Sequence, residues 1–289
     1  MAKLRSDPIV QADLIEYLES ESDFAFELQC LELMTQLQFE CDHGGPYRDP
    51  ITNKIREFDI RASKSFQVLH ASLAIECKNL KQNSPLMVMC VPRNRKESYH
   101  QVVFAASDAV HQSVWGGHSI LATRRFKIEG QGRAYIEQGL VGKSCSRVGR
   151  AQAQPNSIIP EESEIYERWS QALNSASDLW AAVTSLGVKR KVATVSVVIP
   201  ILVVPNETLW QVNFKTDGSR ACDPFKTDRC SYFVNYTDER MPGYVITHLE
   251  IMTMNGLKAF AQSVFAKNGE WFDEGSLDIA VNAAMTGWR

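Results

Sequence analysis

Apolar and polar residues alternate over 57–62, with Phe58, Ile60 and Ala62 on one side and Glu57, Asp59 and Arg61 on the other. A period of two predicts a strand with one apolar and one polar face. A second run, 73–80, sends Ile75 and Cys77 one way and Glu76 and Lys78 the other. Residues 63–72 lie between them, long enough for a hairpin turn and some added strand. Upstream, 8–40 carries helical spacing with a break at 19–22, and Ser22 stands where a capping hydroxyl accepts from the free N–H groups of a first turn. On that second helix Phe24, Leu28, Leu31 and Thr35 form one stripe, Phe26, Cys30, Leu33 and Leu37 another, and Glu27 falls at the margin. A carboxylate so placed is costly unless a cation or hydrogen bonds offset its desolvation.

The remaining pattern fills out a mixed sheet. Residues 44–50 are dense turn chemistry that bridges helix and strand and sets Asn53, Lys54 and Arg56 at a rim. The apolar run 86–91 predicts a buried strand, and 101–116 reads as a helix ending at Gly116 and Gly117. After a linker-like stretch, 151–160, comes an amphipathic helix over 161–186, with Trp169, Ala172, Leu173, Ala176, Trp180 and Val183 at helical spacing. Residues 192–204 are rich in β-branched side chains, as in a strand buried on both faces, and 209–214 is its expected hairpin partner. Strands at 231–236 and 244–252 precede a helix at 256–267 whose inward side is Leu257, Phe260, Ala261 and Val264. The expectation is an α/β fold. One domain spans 1–289, with core elements 8–96 and 192–267 and a helical, partly basic insertion at about 97–190.

Composition narrows the function without naming it. The 289 residues are 44% hydrophobic and 22% charged, ordinary for a globular protein with a sizeable core. A net charge of -3 means that any nucleic-acid contact must be local. One segment qualifies: Arg124, Arg125, Lys127, Arg133, Lys143, Arg147 and Arg150 face only Glu129 and Glu137. Such residues make phosphate contacts that position nucleic acid without reading its sequence, although a solvated basic face has the same composition. Seven scattered cysteines, an odd number, give no disulfide framework and predict a reducing cytoplasm. Cys41, Asp42 and His43 read as part of a turn rather than as metal ligands, and Cys222 and Cys230 lack paired zinc spacing. The opening residues carry no apolar leader, and 192–204 is too short to span a bilayer, so neither secretion nor a membrane is expected. A phosphate-binding loop fails at Gly142-Lys143-Ser144, because Glu137 stands where its first glycine is needed.

If the first two strands pair, Asp59, Glu76 and Lys78 converge on one face. Two fixed carboxylates suit a hard divalent cation such as Mg²⁺, and the ammonium can steady an attacking water or a phosphate. Alternation alone fits the solvated face of a two-stranded sheet equally well. The order of elements and the wording of the motif tip the balance. A helix carrying Glu27, a strand carrying Asp59 and a strand carrying Glu76-Cys77-Lys78 together resemble the PD-(D/E)XK, or restriction-endonuclease-like, nuclease superfamily over roughly residues 20–92. Phe58 replaces the proline of the motif's name.

The resemblance implies a restriction-endonuclease-like core, a central mixed sheet flanked by helices. It further implies an Mg²⁺-dependent nuclease, with Mn²⁺ able to substitute, acting on DNA rather than RNA. Glu27, Asp59, Glu76 and the Cys77 carbonyl would be metal ligands, and Lys78 would orient the water. A homodimer, and partner proteins in restriction, antiphage defence or repair, belong to the same expectation. The alternative is a non-catalytic nucleic-acid-binding or assembly subunit that keeps a nuclease-like fold.

Overall fold

A computed structural model describes residues 7–20, 22–107, 121–129, 134–151, 157–161, 163–190, 194–264 and 271. Two helices open the chain, α1 (Gln11–Ser20) and α2 (Phe24–Gln36). Strands β1 (Glu40–Arg48), β2 (Ile55–Phe66), β3 (Leu69–Cys77) and β4 (Leu86–Pro92) follow. Next come β5 (Tyr99–Ser107), β6 (Leu121–Glu129), β7 (Leu140–Arg150) and β8 (Ile158–Glu161), then the long helix α3 (Ser163–Arg190). The chain continues through β9 (Thr194–Val204), β10 (Leu209–Asn213), β11 (Phe225–Lys226), β12 (Arg229–Tyr236), β13 (Ile246–Thr253) and helix α4 (Met254–Ser263).

The architecture is α/β, and the thirteen strands join one mixed sheet in the order β1-β2-β3-β9-β13-β12-β7-β4-β10-β11. β5 branches from β9 and carries β6, while β8 pairs with β7. β1, β2 and β3 form an antiparallel meander, and β9 lies parallel to both β3 and β13. Among the described residues no helix is long and apolar enough to cross a membrane.

β9 explains the layering. All eleven of its residues are buried, and they alternate between two cores. Val195, Val197, Ile199, Ile201 and Val203 meet Phe26, Cys30 and Met34 of α2 and Leu257, Phe260 and Ala261 of α4. Val198 meets Leu173, Ala176 and Val183 of α3, while Leu202 and Val204 join Ala172 of the same helix. α2 and α4 therefore cover one face of the sheet and α3 the other, with small residues on α3 letting it lie close. The apolar inward side expected for α4 is present as read, and on α2 the stripe of Phe26 and Cys30 is the buried one.

Four expectations need correction. The segment 97–190 is not a helical insertion: it supplies β5–β8 to the shared sheet before α3 begins. The start of the helix expected at 101–116 is strand β5, and 108–120 lie outside the described residues. A short apolar run such as Val102 to Ala105 has no period that separates a buried strand from a buried helix. β1 occupies much of the expected turn at 44–50, because Cys41, His43 and Tyr47 half-alternate against β2. β10 pairs parallel with β4 and antiparallel with β11 instead of forming a hairpin with β9, both of whose edges are already taken by β3, β5 and β13.

Candidate active site at a fork in the sheet

The β2–β3 ladder runs from Phe66–Leu69 at the turn to Ile60–Ile75, where regular pairing stops. Ile60, Ala62, Leu73, Ile75 and Cys77 face α2, so alternation turns Asp59 and Glu76 the other way, toward α3. Asp59 and Glu76 are the next residues beyond the last pair and stand side by side where the strands part. The fork is closed by a side chain: the backbone N–H of Cys77 donates to Asp59 Oδ2 at 2.7 Å. The Asp59 carboxylate thus accepts a ladder hydrogen bond that a strand carbonyl would otherwise take.

A cleft of about 620 Å³ opens here, lined by Phe24, Glu27, His43, Gly44, Arg56, Glu57, Phe58, Asp59, Glu76 and Gln171. Three of the expected site residues, Glu27, Asp59 and Glu76, therefore share one wall system. Glu76 is almost wholly buried. With the Gln171 amide in its satisfied orientation, its nitrogen donates to Glu76 Oε1 at 2.6 Å and its oxygen accepts from Arg56 Nη1 at 3.2 Å. Arg56 Nε also meets Asp49 Oδ2 at 2.8 Å, so a relay from Asp49 through Arg56 and Gln171 holds the buried carboxylate. Glu27 lies across the cleft, where its Oε2 is 3.4 Å from His43 Nε2.

Gly44 makes the space. The β1–β2 register sets it opposite Asp59, between the His43–Ile60 and Gly45–Phe58 pairs, and its φ of 61° lies in the left-handed region. A Cβ there would stand 2.9 Å from Glu57 Oε1. At Gly45 a Cβ would strike the Phe58 ring at 2.8 Å. The two glycines let β1 approach β2 without filling the fork.

Lys78 leaves the same strand end but reaches elsewhere. Its ammonium is 3.3 Å from Asp23 Oδ2, and the N–H of Asn79 donates to Asp23 Oδ1 at 2.7 Å. Asp23 occupies the N-cap position of α2 without making a side-chain cap bond, so its carboxylate ties the helix start to the end of β3 instead. Ser22, expected as the cap, accepts from the N–H of Phe24.

The charges leave a mark on their neighbours. Burial, then the Glu76 charge and that of Asp49, push the Tyr47 phenol up. Burial, then the Cys30 thiol, then the carboxylates of Asp59 and Glu76, hold the Cys77 thiol well above its usual range, so it is no nucleophile. The donor set of Glu27, Asp59 and Glu76 fits a hard cation in kind, being carboxylate oxygens on one cleft. It is not drawn together as a cage: among the described residues no three His, Cys, Asp or Glu side chains group closely enough to hold an ion.

The basic set does not join this site. Arg124, Arg125 and Lys127 fall on β6, and the Lys127 ammonium stands 4.3 Å over the Tyr99 ring. Lys143, Arg147 and Arg150 fall on β7, four strands away from β3 in the sheet. Lys143 pairs with Glu97, and Arg147 Nε donates to Ser84 Oγ at 2.7 Å. Arg133 lies outside the described residues. The sequence reading missed Gln171, whose signal was a polar side chain between Trp169 and the buried Ala172. It also set aside His43, which reads as part of a turn until β1 is known to be a strand. The chain has no significant match among protein-family models, curated proteins or solved structures.

Proposed function

We propose that the fork between β2 and β3 is the active site of a metal-dependent nuclease with a restriction-endonuclease-like core. The single observation that carries this reading is the meeting of Asp59 and Glu76, from neighbouring strands, on one cleft wall opposite Glu27. A bound Mg²⁺ or Mn²⁺, held by Asp59 and Glu76 with Glu27 on the same cleft and, as the resemblance implies, the Cys77 carbonyl, would neutralise charge on a phosphodiester and lower the pKa of a water.

The protein's own groups have separate tasks. Gln171 donates to the Glu76 carboxylate and is itself held by Arg56, so that the carboxylate does not rotate away from the cleft. The Cys77 N–H does the same for Asp59. Lys78 serves as the cation that steadies the attacking water or the phosphate after exchanging Asp23 for substrate. DNA is the expected substrate, and a homodimer and partner proteins in defence or repair remain part of this proposal.

Purified protein is expected to nick or cut labelled DNA with Mg²⁺ or Mn²⁺ and to be silent in EDTA. Asp59→Asn, which keeps an oxygen acceptor for the Cys77 N–H, should lower the rate by at least about 100-fold, the scale of losing a group that stabilises charge in the transition state. Thermal unfolding of that variant should shift by no more than a few degrees. Cutting that survives both EDTA and Asp59→Asn would sink the proposal.

One observation favours a second reading, a nucleic-acid-binding or assembly subunit without turnover. His43 accompanies Glu27, and Asp23 engages Lys78, in the structure as it stands. That reading predicts binding that needs no metal, falls steeply with salt and leads to no cutting of any substrate.

A further inference from the structure

Phe24, the first residue of α2, is 55% exposed on the lip of the cleft. The core-facing positions of its helix are Phe26, Cys30 and Met34, so packing gives no account of an aromatic ring at position 24. Its neighbour across the lip is His43, with ring centroids 5.8 Å apart and planes at 38°. Two rings, one of them open to solvent, therefore stand beside the Asp59–Glu76 fork.

The electrostatics of the cleft decide what those rings receive. Glu27, Glu57, Asp59 and Glu76 line it, while the one arginine, Arg56, is engaged by Asp49 and Gln171. Where no bound cation offsets it, such a surface repels phosphates and leaves an uncharged base as the part of a nucleic acid that the aromatic lip attracts. The volume of about 620 Å³ suits one nucleotide and is far below that of a duplex turn. A duplex would also need cations flanking the cleft to hold its two backbones, and among the described residues the cluster of basic side chains on β6 and β7 stands apart from it. The basic residues of β7 lie four strands from β3, on the order of 20 Å away at the usual interstrand spacing. β6 reaches the central strand only through β5, which pairs with its opposite end at Thr194–Ser196.

We infer that the substrate at this site is single-stranded or locally unpaired nucleic acid, with one base stacked on Phe24 beside His43. The inference rests on the nuclease reading of the same cleft and adds the form of the substrate. Every base has a π-face, so the stacking is tolerant of sequence. Phe24 is a positioning residue: it seats the base and leaves the chemistry to the carboxylates.

The test is fluorescence anisotropy of the full chain in Ca²⁺ buffer, with a fluorescein-labelled 20-nucleotide single strand and the same strand annealed to its complement. The single strand should bind more tightly. Phe24→Ala should weaken it by about tenfold or more, the usual effect of losing a stacked base, and leave duplex binding unchanged. Phe24→Trp should restore the affinity, and its indole emission should be quenched on binding, a change that a merely structural role would not give. Preference for duplex, or a Phe24→Ala variant that binds the single strand like the parent, overturns this inference while metal-dependent cutting of duplex would leave the nuclease reading standing. If neither form is bound or cut, both fall together.

Discussion

A single carboxylate, Asp59, shows how much at this site depends on where a strand lets go. Its side chain is aimed by alternation, which the sequence displays, and is fixed by the Cys77 N–H, which appears only once the β2–β3 pairing ends at Ile60–Ile75. Replacing Asp59 by alanine removes the acceptor as well as the charge, so it should cost about 1–3 kcal/mol beyond its effect on rate. Asp59→Asn should not, and parallel thermal melts of the two variants measure the difference. Gly44 tests the space beside it. A Cβ there is strained by the φ of 61° and meets Glu57, so Gly44→Ala should destabilise by about 1–2 kcal/mol and depress any activity further by narrowing the cleft. Glu27, at the margin of its helix, was joined to Asp59 and Glu76 only by the family resemblance. The shared direction of those two was legible because a period of two fixes which way strand side chains point. The partners of Glu76 and Lys78 were not, since Gln171 and Asp23 come from distant helices and no local rule links them to a strand end.

Among the elements, β9 carries a proline at its centre, which normally rules out a central strand. Pro200 is tolerated because the strand changes neighbours there: β5 pairs with Thr194–Ser196 and β13 with Ile201–Val204, and the stretch between lacks a ladder on that side. Tyr244 fills the gap. Its hydroxyl accepts from the Val198 N–H at 3.4 Å and donates to the Gln101 carbonyl at 3.1 Å, and burial pushes the phenol up. Tyr244→Phe should leave both backbone groups without this partner and cost about 1–3 kcal/mol, read as a lower urea midpoint with an unchanged slope. The β-branched run and the buried faces of α3 and α4 were readable in advance because each repeats one period over many residues. β5 was not, since its short apolar run looks alike in both periods, and its role is set by the gap that β9 leaves open.

For the molecule as a whole, helices on both faces seal the sheet so well that ionisable groups are trapped inside, and acid should find them. His248 on β13 is buried, stacked on Tyr135 with centroids 3.6 Å apart, and its Nε2 has no hydrogen-bond partner among the described residues. Burial first, then the charge of Arg93, lowers its pKa from 6.5 to about 2. The unfolded chain takes up this proton below pH 6.5 and the folded chain does not, so the stability that neutral His248 allows is complete above pH 6.5 and is lost as pH falls. The slope is about 1.4 kcal/mol per pH unit, or roughly 2–3 kcal/mol by pH 4.5. Carboxylates act lower. The Asp238 carboxyl, opposed by burial but held by hydrogen bonds from Arg240, falls from 3.8 to about 2, and its contribution persists until pH drops below about 4. The window between pH 6.5 and 4.5 therefore separates the histidine from Asp238. Thermal melts should fall by roughly 5–10 °C across it. His248→Phe, which keeps a ring against Tyr135 and removes the titration, should flatten that fall while leaving the loss below pH 4 in place. A parent whose melting temperature is level from pH 6.5 to 4.5, or a variant as acid-sensitive as the parent, would show that the sealed core admits a proton at no cost.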